Sequence, residues 1–194
     1  FVLTGTCTTS FQTSGANRSN NIVVGASRLN NLIVLPGQTV SVSDTILPRT
    51  RANGYKEAGV YVNGAHTSGL GGGVCQISST VYNAVKNAGL TVVQRNPHSM
   101  PVSYLPKGLD AAIAAGSKDL KFRNDYTTPV VLYTDTSNKH LTVNVLVWNQ
   151  ELAGRSFKLW AKQTGALSAD TYFTTYLNGK EISTQFVGTS RYNP

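Results

Sequence analysis

Cys75 closes a run of glycines in GLGGGVCQISST, residues 69 to 80, and opens a segment with helical spacing. A thiol in the first turn of a helix faces unpaired backbone N–H groups and the positive end of the helix dipole. Both stabilise a thiolate and lower its pKa. The same N–H groups can serve as an oxyanion hole for acyl transfer, with Gly72, Gly73 and Gln76 the nearest contributors. Gly71, Gly72 and Gly73 place no side chain in front of the sulfur. Ile77, Val81, Ala84, Val85 and Ala88 form one apolar stripe at ~100° per residue, whereas Cys75 shares a different face with Ser79, Tyr82 and Lys86. That phase separates Cys75 from the core stripe and fits a nucleophile.

A thiol nucleophile works with a base, most often histidine. His66 lies in the glycine-rich loop, His98 in RNPHSMPVSYLP and His140 in the turn TSNKH. His98 is expected on the first strand after the helix, a rigid support, and is the preferred base. An acidic group should hold the other imidazole nitrogen. Asp110, at the start of the next expected strand, fills that role, with Asp119 as the alternative. Competing readings of Cys75 are a buried core thiol, a disulfide to Cys7, and a zinc ligand with His66 and His98. No CxxC or HxxxH spacing supports zinc, and the glycine run lacks the GK[ST] ending of a phosphate loop. No metal or cofactor is predicted.

The elements that must carry these groups follow from periodicity. Ile22, Ala26, Leu29 and Ile33 predict a first helix capped by Asn20 or Asn21. Val40 and Val42 predict a strand. Residues 48–73 form a long turn-rich stretch, a length that in a compact domain is usually functional or disordered. The helix from Cys75 ends at Gly89. Strands are then expected in TVVQRNPHSMPVSYL, DAAIAAG, KDLKFRN, PVVLYTD and LTVNVLVW, and in a tail whose Asn178-Gly179 suits a tight hairpin. The predicted class is α+β: a cysteine at the start of a central helix, a mostly antiparallel sheet after it, and a β-rich C-terminal tail. The order Cys, His, Asp is that of papain- and transglutaminase-like enzymes. The expected division is 1–150 as the catalytic domain and 151–194 as an extension packed on it.

Hydrophobic residues make up 40% of the chain, enough to bury a core without disulfides or metals. The net charge of +8 favours polyanionic surroundings such as nucleic acid, anionic lipid or a bacterial wall. The basic residues are scattered rather than clustered with aromatics, which argues against nucleic acid. No apolar run reaches the roughly 20 residues of a membrane span, so no insertion by this domain is expected. The opening FVLTGTCTTSF has no basic start or cleavage site, so the chain reads as an excised domain.

PGQTVSVSD, GYKEAGVYVNG, GGGVCQISSTVYNA, GLTVVQRNPHSMPVSYLPKGLDAAI and DLKFRN, taken in order, resemble the VanW domain family over roughly residues 18 to 150. Cys7 and the segment VSVSD depart from that pattern, away from the Cys75–His98 region. The resemblance implies a secreted or surface protein of a Gram-positive bacterium. It implies a cysteine L,D-transpeptidase that forms 3-3 peptidoglycan cross-links through a thioester on Cys75, with His98 as its partner. Arg95, Ser99, Tyr104 and Asp110 fall on recurring family positions, and Arg95 is the expected binder of stem-peptide carboxylates. The expected partners are a tetrapeptide donor and a diamino-acid acceptor, and the chain is expected to act as a monomer. A stem-peptide hydrolase on the same Cys–His site and a non-catalytic wall-binding module are the alternatives.

Overall fold

The computed structural model describes residues 1–62 and 64–194. The N-terminal half contains β1 (Val2–Ser10), α1 (Ala16–Ser27), β2 (Leu32–Val34), β3 (Thr39–Ser41), α2 (Val42–Ile46), β4 (Glu57–Val62) and β5 (Ala65–Leu70). Then follow α3 (Val74–Asn87), β6 (Thr91–Gln94), β7 (Lys121–Arg123), β8 (Val130–Asp135), β9 (His140–Val147) and α4 (Asn149–Leu152). Three long strands end the chain: β10 (Arg155–Gly165), β11 (Ser168–Leu177) and β12 (Lys180–Arg191). All strand pairs are antiparallel, so the class is α+β as expected.

The largest framework is the sheet β1-β9-β8-β2. Leu141, Val143, Val145 and Val147 alternate along β9 and are fully buried on one face. Helix α3 lies across that face, against β1 and β9, and also touches α1, β6 and β10. Its stripe of Ile77, Val81, Ala84, Val85 and Ala88 is completely buried, as the periodicity predicts. The chain leaves α3 through Gly89, which takes the left-handed φ of 80° typical after a helix C-terminus. The tail forms the sheet β10-β11-β12, and Asn178 and Gly179 both adopt positive φ in its second turn.

Several local expectations are corrected. The first helix ends at Ser27, and Gly15 rather than Asn20 or Asn21 occupies its N-cap. Ile33 lies on β2 and is exposed, because the short run LIV pairs with β8 instead of continuing the helix. Val42 opens α2 rather than continuing β3, since the Ser41 side chain caps that turn by accepting from the Asp44 N–H. The turn-rich stretch contains the β4–β5 hairpin, which packs beside α1. The face of α3 that carries Cys75 is also covered: every residue from Gln76 to Val85 is buried.

Candidate active site

The segment that covers the second face of α3 is the one expected to be the strand DAAIAAG. It forms no sheet. Its backbone groups are taken by polar side chains of α3 instead. Ser78 and Ser79 donate to the Ala111 carbonyl at 2.6 and 3.1 Å, and the Ala111 N–H donates to Ser79 Oγ at 2.9 Å. Asn83 donates to the Leu109 carbonyl at 2.7 Å. The Ala112 N–H donates to the Asn96 carbonyl at 2.7 Å, which ties in the loop that follows β6. Buried hydroxyls and amides thus replace a neighbouring strand as the required partners of this backbone. His98 and Asp110 are held on irregular chain, not on the strands expected for them.

This clamp brings Asp110 to His98. One carboxylate oxygen of Asp110 lies 2.7 Å from His98 Nδ1 and accepts the His98 backbone N–H, also at 2.7 Å. With Nδ1 engaged, Nε2 is the nitrogen left to face the Cys75 thiol, and each of the two groups shifts the titration of the other. The other Asp110 oxygen accepts the Tyr192 hydroxyl at 2.5 Å and faces Arg95 at 3.5 Å. Cys75 Sγ lies 3.4 Å from the Ile113 N–H, which can donate to a thiolate, and 3.3 Å from the Ile113 carbonyl, which can accept from a thiol.

The electrostatics follow from these contacts. Burial pushes the Cys75 thiol up, but the hydrogen bond and charge of His98, the Ile113 N–H and the charge of Arg49 outweigh it and hold the thiol below its usual range. Burial pushes His98 down, yet its contacts with Asp110 and Cys75 raise it to about 9. Burial alone would raise Asp110, but His98, Tyr192 and Arg95 keep it below the ordinary carboxylate range. Each shift is toward the charged form of its group: thiolate, imidazolium and carboxylate.

Residues 17–146 match the family described as VanW like protein. The chain belongs to the VanW-like family. It is 42% identical over 128 residues to "Uncharacterized protein YoaR" of Bacillus subtilis (strain 168), a stretch that covers 66% of this chain and 42% of that protein. It is 35% identical over 114 residues to "Vancomycin B-type resistance protein VanW" of Enterococcus faecalis (strain ATCC 700802 / V583), covering 56% of this chain and 42% of that one. The chain therefore spans less than half the length of these relatives. No solved structure matches it.

The VanW-like chain enters α3 through glycines for two steric reasons. Gly73, the N-cap, has φ 107°, and a Cβ there would come within 2.7 Å of Arg18 Cγ. A Cβ on Gly72 would strike backbone atoms of Ala58 and Gly59 at 2.6–2.7 Å, so β4 lies directly against the loop. Asn21 of α1 fastens the loop by donating to the Gly72 carbonyl at 2.9 Å. At the start of α3 the Gln76 N–H is spent on the Gly73 carbonyl, whereas the Cys75 N–H donates to no described residue. The Cys75 N–H is the donor available to an oxyanion.

Other expected site residues have different surroundings. The Gln76 side chain is buried away from the sulfur: it donates to Thr9 Oγ1 at 3.0 Å and to the Ser10 carbonyl at 2.9 Å, and accepts from Arg18 at 2.9 Å. Arg95 braces Asp110 from behind, donating to the Asp110 carbonyl at 2.7 Å and to Ser190 Oγ at 3.0 Å. Arg95 also lines a cavity beside Tyr82, Lys86 and Thr171. Ser99 is exposed, and its carbonyl accepts the Asn193 N–H at 2.7 Å. Tyr104 approaches the site: its hydroxyl is 3.5 Å from Ser79 Oγ, and its oxygen and the Cys75 sulfur interact electrostatically.

Asp119 is removed from consideration by its own contacts. It accepts from Ser41 Oγ at 2.5 Å and from the Ser43 N–H at 3.0 Å, fixing the start of α2. His66 is exposed on β5 against Tyr61, and His140 opens β9 with Nδ1 beside the Asn138 carbonyl. Cys7 and Cys75 are both free, so the disulfide alternative is overturned. Among the described residues no three His, Cys, Asp or Glu side chains gather around a metal-sized site. No helix of the described residues is long and apolar enough to cross a membrane.

Sequence reasoning missed Tyr192, Ser190, Arg18 and Arg49. Tyr192 and Ser190 lie outside the matched family segment, at the end of the tail. No pattern of spacing links them to Asp110, because their contacts arise only when β10–β12 fold back over the site.

Proposed function

We propose that this chain is a cysteine L,D-transpeptidase that joins peptidoglycan stem peptides by 3-3 cross-links. The observation that carries the reading is buried Asp110 held 2.7 Å from His98 Nδ1, beside a Cys75 thiol at the start of α3 whose pKa His98 lowers. The order Cys, His, Asp parallels papain- and transglutaminase-like enzymes, an analogy of arrangement only. A VanW-like relative named for vancomycin resistance supplies the cell-wall context, and with it a location outside the membrane of a Gram-positive cell.

In this mechanism the Cys75 thiolate attacks the carbonyl of the third residue of a tetrapeptide stem. The Cys75 N–H stabilises the oxyanion. The bond to the terminal D-alanine breaks, and His98 gives its proton to the departing amine. A thioester then holds the donor at the start of α3. The side-chain amine of a second stem attacks the thioester and passes a proton to His98, and the thiolate leaves. Asp110 holds the ring so that Nε2 faces the sulfur throughout. Gly72 and Gly73 shape the donor groove.

The test is to incubate the protein with disaccharide-tetrapeptide and follow mass. Transpeptidation gives a 3-3 dimer, loss of D-alanine and an acyl adduct on Cys75, all absent from Cys75→Ala. Tripeptide without dimer assigns the site to a hydrolase in which water resolves the thioester. Unchanged substrate with no adduct on Cys75 overturns the catalytic reading and leaves a wall-binding module.

A further inference from the structure

Two guanidinium groups converge on the entrance to α3, and the mechanism above uses neither. Arg18, on α1, packs its stem over Gly73, and Arg49, in the loop after α2, packs its stem over Gly71. Neither has a carboxylate partner among the described residues; the ion pairs there join Glu57, Asp110 and Asp125 to Arg51, Arg95, His98 and Arg123. Arg18 spends Nη1 on Ser14 at 2.6 Å and Gln76 at 2.9 Å, which aligns its plane beside the residue next to Cys75. Arg49 Nη1 is fully buried and has no hydrogen-bond partner among the described residues. A buried donor on a charged group left in this state has lost its water without gaining a partner, which is destabilising. A ligand that supplies an acceptor removes that cost. The contacts with Gly71, Gly73 and Gln76 put both arginines beside the residues that flank Cys75, consistent with their charges coupling to that thiol.

Resting on the transpeptidase reading, we propose that Arg49 and Arg18 form a carboxylate subsite that selects stems with a free C-terminal carboxylate one residue beyond the scissile bond. One extended residue spans at most about 3.6 Å, so the carboxylate of a terminal D-amino acid stays close to the carbonyl that Cys75 attacks. Arginine suits this task because its planar fork pairs with both carboxylate oxygens. The subsite makes the enzyme an exo-acting one: a tetrapeptide end fits, and a stem that continues past that residue places a neutral amide against two cations. Substrate specificity then comes from unmatched charge as much as from attraction.

Two experiments separate this subsite from the activity it serves. The first uses alkylating probes on the whole chain and needs no peptidoglycan. Iodoacetate carries a carboxylate and iodoacetamide does not, and each loses iodide to the same thiolate. Their rate ratio at Cys75 cancels any change in thiolate fraction. The ratio is expected to fall about 10-fold in Arg49→Gln and in Arg18→Gln through loss of a nearby cation. Arg49→Lys, which keeps the charge, is expected to retain most of it. An unchanged ratio in folded Arg49→Gln and Arg18→Gln overturns the subsite whatever the enzyme does to peptides.

The second compares tetrapeptide stems in three forms: the free acid, the C-terminal amide, and the free acid with its third-residue side-chain carboxylate amidated. Wild-type protein is expected to acylate from the first and third and to fail on the second. Equal use of the acid and the C-terminal amide overturns the proposal. Failure on the third alone also overturns it, because the arginines then read the donor side chain. Alkylation that follows the charge while no stem acylates Cys75 leaves the anion site standing and removes the stem-peptide reading.

Discussion

Tyr192 donates its hydroxyl hydrogen to Asp110 Oδ1 at 2.5 Å while accepting the Gly108 N–H at 2.7 Å. The last turn of chain after β12 thus closes over the carboxylate that orients His98. Ser190 reinforces it by accepting from Arg95, and Thr171 of β11 donates to the Gly108 carbonyl at 2.7 Å. The C-terminal sheet is therefore a wall of the candidate site. It keeps Asp110 dry, so the hydrogen bonds around the carboxylate act in a low-dielectric setting.

Tyr192→Phe removes one bond to the Asp110 carboxylate and leaves the Gly108 N–H without its acceptor. The expected loss at neutral pH is about 1–3 kcal/mol. Asp110 is held below its ordinary 3.8, so this contribution is present above that pH and is lost as pH falls through the lower folded value. Urea unfolding at pH 7 and near pH 3 checks it: the gap between wild type and variant should shrink at the lower pH. Cys75 alkylation at neutral pH should slow in the same variant, because His98 loses part of its support.

The pH dependence of the two Cys75 reactions should separate on the alkaline side. Alkylation requires only the thiolate, which forms below the usual thiol range and persists upward. Acylation by a stem also requires a proton on His98 for the leaving amine. That proton is held until about pH 9. Acylation should therefore decline above about 9 while alkylation does not. The pair titrates as a unit, so single-turnover profiles of both reactions on one preparation are the proper measurement. In His98→Gln, alkylation at pH 7 should drop at least about 10-fold as the thiol returns toward its ordinary value.

Much of this arrangement was legible in the sequence wherever the signal is local. The apolar stripe and Gly89 stop identify α3, strict alternation identifies β9, and Asn178-Gly179 marks the last hairpin. Cys75 and His98 stand out as candidates from helix position and residue type. What escaped depends on distant partners. DAAI has strand-like composition, but Ser78, Ser79 and Asn83 satisfy its backbone, and nothing within the segment announces that. The same cause put His98 and Asp110 on expected strands that do not exist. Ile33 kept helical spacing across a break because a three-residue apolar run fits either period. The bonds of Arg95 to the Asp110 carbonyl and Ser190 likewise depend on distant chain and leave no trace in local spacing.

Cys7 and Cys75 should respond differently to thiol reagents. Cys7 is on β1 with its thiol packed toward the core, and burial raises it to about 11. Cys75 is half-buried like Cys7 but lies below the usual thiol range. Iodoacetamide at neutral pH should add one label per native chain, mapped to Cys75, and two labels per chain in denaturant. Cys7→Ser should leave both the native labelling and stem acylation unchanged. A second label acquired at the native rate would contradict the packing of β1 against α3.

The same packing leaves no room for a side chain at Gly5 of β1. A Cβ there would stand 2.1 Å from the Ala84 carbonyl and 2.5 Å from the Ala88 N of α3. Both obstacles are backbone, so relief requires moving the helix that carries Cys75. Gly5→Ala is expected to cost about 1–3 kcal/mol or more, as overpacking of a filled core does. For a domain of this size that lowers Tm by about 2–4 °C per kcal/mol. Gly188→Ala is the control: nothing lies within 4 Å of its added Cβ, and alanine costs less than glycine in a strand. If α3 shifts along β1 to admit the methyl group, Sγ moves relative to Ile113 and His98. Cys75 labelling in Gly5→Ala should then slow more than the stability loss alone explains, because the altered geometry persists in molecules that remain folded.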